Sequence, residues 1–216
     1  MRELALFAGA GGGCLAARSL GHTVVGYVEW EAYPQAVLQA RIRDGHLDPA
    51  PIFGDIRAFV ADGWARRYRG RVDLVSAGFP CPAFSVAGKR HGGADERNMW
   101  PATRDVLREV RPRLAFLENV PGLLSVGDGP GSTRRYFGTV LADLAELGMD
   151  AVWTVLGADD VGAPHRRKRL WILAYLPDAV GDELWNELRW NGCERPEGLE
   201  PGRDSAPVAG DHGAAR

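Results

Sequence analysis

Residues 72–90 read VDLVSAGFPCPAFSVAGKR, an apolar run that ends abruptly in a turn rich in Gly and Pro. Residues 72–77 are interrupted only by Asp73, which predicts a strand buried on both faces. Cys81 follows this strand and stands between two prolines. Because proline fixes the backbone, we expect a thiol held on a stiff turn at the end of a buried strand.

Similar apolar runs alternate along the chain with stretches whose apolar residues have helical spacing. This alternation predicts an α/β fold with a mostly parallel sheet that helices cover on both faces. In such sheets, ligands bind at the carboxyl ends of the strands. Strands are expected at residues 4–8, 23–28, 52–53, 72–77, 114–117, 152–156 and 170–176. Helices are expected at residues 33–43, 102–110 and 134–147, after a first helix that ends near Gly21.

The composition fits a single domain followed by a tail. The chain has 216 residues, of which 45% are hydrophobic, enough for one core. Residues 1–176 are interpreted as the folded domain, and residues 177–216, rich in Pro, Gly and acids, as a mostly disordered tail or linker. No apolar run is long enough to span a membrane, and glycines interrupt the short apolar start, so neither a membrane span nor a signal peptide is expected.

Charge and cysteine content indicate less about function than the strand pattern indicates about the fold. The formal net charge of -2 does not by itself indicate a nucleic-acid partner. Cys14, Cys81 and Cys193 lack the spacing of metal ligands, so we expect no metal site and no disulfide framework. This cysteine pattern favours a reducing, cytoplasmic environment.

Residues 6–13, LFAGAGGG, predict a glycine loop between the first strand and the first helix. Such a loop lets the backbone approach a ligand closely. Cys14 stands where the dinucleotide-binding pattern would need its last glycine, so that pattern is not met. A tight turn without a ligand is an equally good interpretation of this segment alone.

Acidic and aromatic residues follow the next two strands. Glu29 ends the second strand and is suited to accept hydrogen bonds from ribose hydroxyls. The adjacent Trp30 can cover an adenine ring, and Asp55, after the third strand, can accept from an adenine amino group. The alternatives are ordinary packing for Trp30 and a helix cap for Asp55.

Two further strand ends carry charged side chains. Glu118 follows four apolar residues, so its carboxylate needs a partner, and its position also suits a proton donor that faces Cys81. The run HRRKR, residues 165–169, comes immediately before the last strand. Strand alternation places Arg167 and Arg169 on one face, although a solvated basic loop is the more ordinary outcome for such a run.

The order of these motifs is more specific than any one of them. LFAGAGG, EW, GDI, GFPCPAFS, ENV and RRKR follow one another along the chain. This series resembles that of the DNA cytosine-5 methyltransferases over roughly residues 4–174. The resemblance implies a Rossmann-like class I methyltransferase fold with a seven-strand-type sheet. It also implies S-adenosylmethionine as cofactor, double-stranded DNA as substrate and an association with restriction-modification.

The same resemblance implies how the reaction proceeds. The thiolate of Cys81 would add to C6 of a flipped-out cytosine, which makes C5 nucleophilic toward the methyl donor. Glu118 would bind the cytosine N3 and exocyclic amine, and Arg169 would contact O2. Arg167 would help to hold a closed loop or a phosphate.

The resemblance also implies positions for the cofactor and for DNA. The residues that would line the methionine and ribose end of the cofactor are Phe7, Gly9, Gly11 and Gly12. Those that would contact the ribose hydroxyls, the adenine and the rest of the cofactor are Glu29, Trp30, Asp55, Ile56, Pro80 and Met99. Residues 83–99 resemble the mobile loop of the family. Ser85, Lys89 and Arg90 would bind DNA phosphates there.

Family members usually continue into a target-recognition domain and a last helix that packs beside the first strand. Residues 177–216 look too short and too polar to supply either. We therefore expect a second chain that carries target recognition, a truncated product, or a protein that acts with little choice of sequence. Two alternative functions remain open. The protein could be an RNA cytosine-5 methyltransferase with the same catalytic residues, or an inactive or incomplete cofactor-binding subunit.

Overall fold

The computed structural model describes residues 1–80, 98–127 and 135–179. These residues form one seven-stranded sheet with the strand order β3-β2-β1-β4-β5-β7-β6. The strands are β1 (Arg2–Leu6), β2 (Thr23–Val28), β3 (Ile52–Phe53), β4 (Leu74–Gly78), β5 (Leu114–Asn119), β6 (Asp150–Leu156) and β7 (Arg169–Tyr175). Strands β1 to β5 pair in parallel, and β7 runs antiparallel to both of its neighbours. The expected α/β fold with a mostly parallel sheet is confirmed.

Helices lie on both faces of this sheet. They are α1 (Gly12–Ser19), α2 (Ala32–Arg43), α3 (Ile56–Ala61), α4 (Trp64–Arg67), α5 (Trp100–Val110) and α6 (Tyr136–Glu146). The larger hydrophobic core joins one face of the sheet to buried side chains of α3 to α6, and a smaller core joins β1 and β2 to α1 and α2. Within the described ranges, no helix is long and apolar enough to cross a membrane.

Several elements begin or end at other residues than the sequence pattern predicts. The first strand ends at Leu6 because Phe7 adopts a left-handed conformation with φ 52, which turns the chain out of the sheet. The fourth strand begins at Leu74, since the side chain of Asp73 accepts a hydrogen bond from the backbone N–H of Arg2 just before the strand. The short helices α3 and α4 were not predicted, because neither is long enough to show a helical period.

The sheet topology brings the candidate residues to one edge. Strands β1 to β5 all end at the same edge, and β7 begins there because it runs antiparallel to β5. The glycine loop, Glu29, Asp55, Glu118 and Arg169 therefore meet at the carboxyl edge of the parallel strands, where ligands bind in open α/β sheets.

Candidate active site at the carboxyl edge of the sheet

The glycine loop leaves β1 in a sharp turn with three left-handed residues. These are Phe7 with φ 52, Gly9 with φ 53 and Gly11 with φ 87. A Cβ atom placed on Gly9 or Gly12 would meet no other atom within 4 Å, so the backbone there borders open space. The loop is therefore shaped for the close approach of a ligand.

Gly11 is the position in this loop where glycine is required for packing as well as conformation. A Cβ atom there would lie 2.8 Å from Leu47 Cδ1 and 3.1 Å from Leu38 Cδ2, and both leucines are buried. We expect Gly11→Ala to lower the free energy of unfolding by about 2 kcal/mol or more, since the left-handed conformation and the overpacking both cost energy. Chemical denaturation measures this loss.

The matched control for Gly11 is Gly13→Ala in helix α1. A Cβ atom on Gly13 meets nothing within 4 Å, and alanine favours a helix, so stability should be kept or slightly raised. Equal stabilities of the two variants would contradict the assigned role of Gly11.

Glu29 holds the glycine loop in place. Its side chain is only 8% exposed, and its Oε2 accepts a hydrogen bond of 2.7 Å from the backbone N–H of Gly9. Its Oε1 accepts one of 2.9 Å from the backbone N–H of Glu31. Each carboxylate oxygen keeps a further lone pair, so Glu29 can still accept from the hydroxyls of a ligand. Sequence reasoning missed this positioning role, while the predicted ribose contact stays a prediction.

Trp30 stands beside Glu29 with 71% of its surface exposed. A large indole at a strand end that is so little packed does not serve the core, so the packing alternative does not account for it. Its ring is available as a platform for a planar group of a ligand.

Asp55 caps helix α3. Its Oδ1 accepts a hydrogen bond of 2.8 Å from the backbone N–H of Arg57, whose guanidinium lies 3.7 Å from the same oxygen. The structural alternative for Asp55 is thus present, and its predicted contact with adenine stays a prediction. Ile56, the first residue of α3, is buried in the larger core.

Glu118 on β5 and Arg169 at the start of β7 form an ion pair, with 2.5 Å between Glu118 Oε1 and Arg169 Nε. Both side chains are half-buried, at 32% and 22% exposure. The partner that the sequence required for Glu118 is therefore Arg169. Arg167 lies exposed before β7, so the structure brings one of the two arginines to this carboxylate.

Gly78 makes room for the Glu118 carboxylate. It pairs with Glu118 across β4 and β5, and a Cβ atom on Gly78 would lie 3.1 Å from Glu118 Oε2. A larger residue at this position would press on the carboxylate. Nothing in the sequence pattern marked Gly78, because its importance depends on the register of two strands distant in the sequence.

Asn119 fixes the end of β4. Its buried side chain donates a hydrogen bond of 3.0 Å from Nδ2 to the carbonyl of Phe79, and its Oδ1 accepts from the backbone N–H of Val120. The carbonyl of Pro80 accepts a hydrogen bond of 3.3 Å from the backbone N–H of Met99. Asn119 thus positions the residues that lead to Cys81, a role that its place in the ENV motif could have suggested.

Four predicted site residues lie outside the described ranges: Cys81, Ser85, Lys89 and Arg90.

Cys14, which the structure does describe, is too buried to act as a nucleophile. Burial raises the pKa of its thiol to about 12, with a smaller contribution from the nearby Glu3 carboxylate. Cys14 therefore stays protonated at neutral pH.

Within the described part of the chain, no group of three or more His, Cys, Asp or Glu side chains could hold a metal ion.

The chain is similar to known methyltransferases both in sequence and in fold. The model of the C-5 cytosine-specific DNA methylase family matches residues 1–191. The type II methyltransferase M.NgoMIV from Neisseria gonorrhoeae is 33% identical over 188 residues, which are 87% of this chain and 54% of that protein. M.HhaI from Haemophilus parahaemolyticus is 31% identical over 179 residues, 82% of this chain and 50% of that protein.

Among solved structures, the Dnmt2 methyltransferase of S. pombe superposes with a TM-score of 0.60 at 19% identity, over 82% of this chain and 49% of that one. A putative DNA modification methyltransferase from an E. coli prophage gives the same TM-score at 22% identity, over 82% of this chain and 47% of that one. The chain spans about half the length of the curated relatives that it matches.

Proposed function

This chain belongs to the C-5 cytosine-specific DNA methylase family, and we propose that it transfers a methyl group from S-adenosylmethionine to C5 of cytosine in double-stranded DNA. The observation that carries the proposal is the Glu118–Arg169 pair. It lies at the edge of the sheet where the glycine loop opens and where β4 leads to Cys81.

The ends of β1, β2 and β3 fit S-adenosylmethionine. The open backbone at Gly9 and Gly12 would admit the methionine and ribose part, and Glu29 would accept from the ribose hydroxyls. The exposed Trp30 ring and the carboxylate of Asp55 would recognise the adenine. When bound, the cofactor supplies the methyl group. The contacts of Phe7, Ile56, Pro80 and Met99 with it stay predictions.

Glu118 and Arg169 together suit a cytosine ring. The carboxylate can accept from the exocyclic amine and share a proton with N3, while the guanidinium keeps N–H groups that can donate to O2. Their ion pair orients both groups before a base arrives, which lowers the cost of positioning them. Gly78 keeps the second carboxylate oxygen free of a neighbouring side chain.

Cys81 is the proposed nucleophile. Its thiolate would form a bond to C6, and C5 would take the methyl group, which leaves S-adenosylhomocysteine. The C5 proton would then pass to a water molecule, the C5–C6 double bond would re-form, and the bond between sulfur and C6 would break, which frees the enzyme. The two hydrogen bonds at Phe79 and Pro80 fix the backbone immediately before this residue. Contacts of Arg167, Ser85, Lys89 and Arg90 with phosphates or the closed loop belong to the same proposal.

The test is transfer of a labelled methyl group from S-adenosylmethionine to duplex DNA and, side by side, to tRNA. Nucleoside mass spectrometry should find the label in 5-methyldeoxycytidine. Label in tRNA alone would replace the proposal with an RNA cytosine-5 methyltransferase. Cofactor binding without transfer to either would favour an incomplete cofactor-binding subunit.

A second chain that carries target recognition stays a prediction. Its addition to the same assay should make methylation specific for one DNA sequence.

Cofactor binding should depend on Trp30 and Asp55. We expect Trp30→Ala and Asp55→Ala each to weaken binding of S-adenosylhomocysteine by about 1–3 kcal/mol, through loss of a stacked ring or of a buried hydrogen bond. Isothermal titration calorimetry measures the effect.

Because Asp55 also caps α3, the variant Asp55→Ser separates its two roles. Serine keeps the capability to cap a helix but places no carboxylate near the adenine. Asp55→Ser should therefore preserve stability and still lose affinity, whereas Cys81→Ser should leave affinity nearly unchanged. Wild-type affinity in both Trp30→Ala and Asp55→Ser would place the cofactor elsewhere.

A further inference from the structure

A second candidate site lies against the short edge strand β3 and helix α4. A cavity of about 380 Å³ opens there, and its lining includes three arginines and three aromatic residues. These are Arg2, Arg67, Arg71, Phe53, Trp64 and Tyr68. Arg2 begins β1 and Arg71 precedes β4, so these two arginines lie at the amino ends of their strands, whereas Phe53 is the last residue of β3.

The aromatic residues form a fixed apolar floor. The ring centroid of Phe53 lies 5.5 Å from that of Trp64 and 6.2 Å from that of Tyr68. Tyr68 also donates a hydrogen bond of 3.3 Å from its hydroxyl to the carbonyl of Val25 on β2. The ring planes are tilted by 47° and 82° to that of Phe53, so the floor presents both ring faces and ring edges. Because rings and backbone hold one another in place, it is a preformed apolar surface against which a base can pack.

The arginines around this floor carry charge that the described acids do not neutralise. Within the described ranges, none of Arg2, Arg67 and Arg71 forms an ion pair with a carboxylate. In the same stretch, Arg69 is paired with Glu109 at 3.6 Å. The nearest acid in sequence to Arg71, Asp73, uses its carboxylate to accept from the backbone N–H of Arg2.

Arg67 is held in a geometry that suits an anion. The Cζ atom of its guanidinium lies 4.7 Å from the ring centroid of Trp64, above the indole. Stacking uses the face of the guanidinium and leaves its N–H donors free in the plane, where they can form paired hydrogen bonds to a phosphate.

We propose that this cavity binds a nucleoside phosphate, with the base on the aromatic floor and the phosphate among Arg2, Arg67 and Arg71. The volume is within the range of pockets for small molecules, roughly 300–1,000 Å³. An acidic peptide would match the arginines but would leave the apolar aromatic floor without a partner. The ligand could be a free nucleotide or the phosphorylated end of a nucleic-acid strand, since both present the same chemistry.

The experiment measures binding of adenosine monophosphate by calorimetry, with S-adenosylhomocysteine in excess so that the proposed cofactor site is filled. Adenosine and inorganic phosphate should each bind at least about tenfold more weakly, because each lacks one of the two parts that the cavity recognises. A short oligonucleotide with a 5′-phosphate is the second arm. Tighter binding of the oligonucleotide identifies a strand end as the ligand, and tighter binding of the monophosphate identifies a free nucleotide.

The variant Arg2→Gln/Arg71→Gln should weaken monophosphate binding at least about tenfold, since it removes two charged donors. The control is Arg66→Gln, which removes one positive charge from α4 at a position that does not line the cavity and should change affinity less than twofold. This comparison does not depend on the proposed methyl transfer. Absence of binding, equal binding of inorganic phosphate, or full affinity in the double variant would each overturn the proposal.

Discussion

Cys81→Ser should abolish the covalent adduct with DNA that carries 5-fluorocytosine and should lower methyl transfer by about three orders of magnitude or more. Only a few per cent of a free thiol is thiolate at pH 7, but that fraction is strongly nucleophilic, whereas a serine hydroxyl is scarcely ionised. Fluorine at C5 cannot leave as the proton does, so the wild-type adduct should survive denaturing electrophoresis. Labelled DNA and a denaturing gel measure the adduct directly.

The chain provides a matched control in Cys14. This thiol belongs to helix α1 and is buried in the smaller core, and its raised pKa of about 12 keeps it protonated at neutral pH. Cys14→Ala should therefore retain the adduct, even if it lowers stability slightly. A stable adduct in Cys81→Ser, or loss of the adduct in a folded Cys14→Ala, would remove Cys81 from the proposed mechanism.

The sheet and its functional edge could be predicted from the sequence because they depend on local patterns. Apolar runs such as residues 72–77 indicate buried strands, and their alternation with helices favours a parallel sheet. Once the sheet is parallel, side chains at strand ends, including Glu29 and Glu118, must meet at one edge. The structure confirms the fold and brings these residues to that edge.

Contacts between distant segments could not be predicted in the same way. The bond from Gly9 to Glu29, the support of Phe79 by Asn119, and the space that Gly78 leaves for Glu118 all depend on which strands are neighbours and in what register. A hydrophobic pattern specifies faces, but it does not specify these pairs. Asp55 could be read either as a helix cap or as a ligand contact for another reason, since a carboxylate at the start of a helix is suited to both.

Glu118→Gln should lower methyl transfer by about 10²–10⁴-fold, the usual contribution of a positioned proton donor or acceptor. Glutamine has the same shape but cannot share a proton with the cytosine N3, and it offers the guanidinium of Arg169 a neutral partner. Binding of S-adenosylhomocysteine should be unchanged, because Glu118 belongs to β5 and none of the proposed cofactor contacts is made by that strand. Single-turnover methylation with saturating cofactor measures the chemical effect separately from binding.

A double-mutant cycle distinguishes catalysis by this pair from a structural role. If Glu118 and Arg169 act as one unit on the base, Glu118→Gln/Arg169→Lys should be little slower than the slower single variant, since groups that act together are not additive. Arg169→Lys keeps the charge but loses the planar fork of donors, so it is not a neutral change. The surface pair of Arg69 and Glu109 provides the control, and Glu109→Gln should leave methylation unaffected. If Glu118→Gln methylates DNA at the wild-type rate and has normal thermal stability, the pair merely joins β5 to β7. Another group would then share the proton with the cytosine N3.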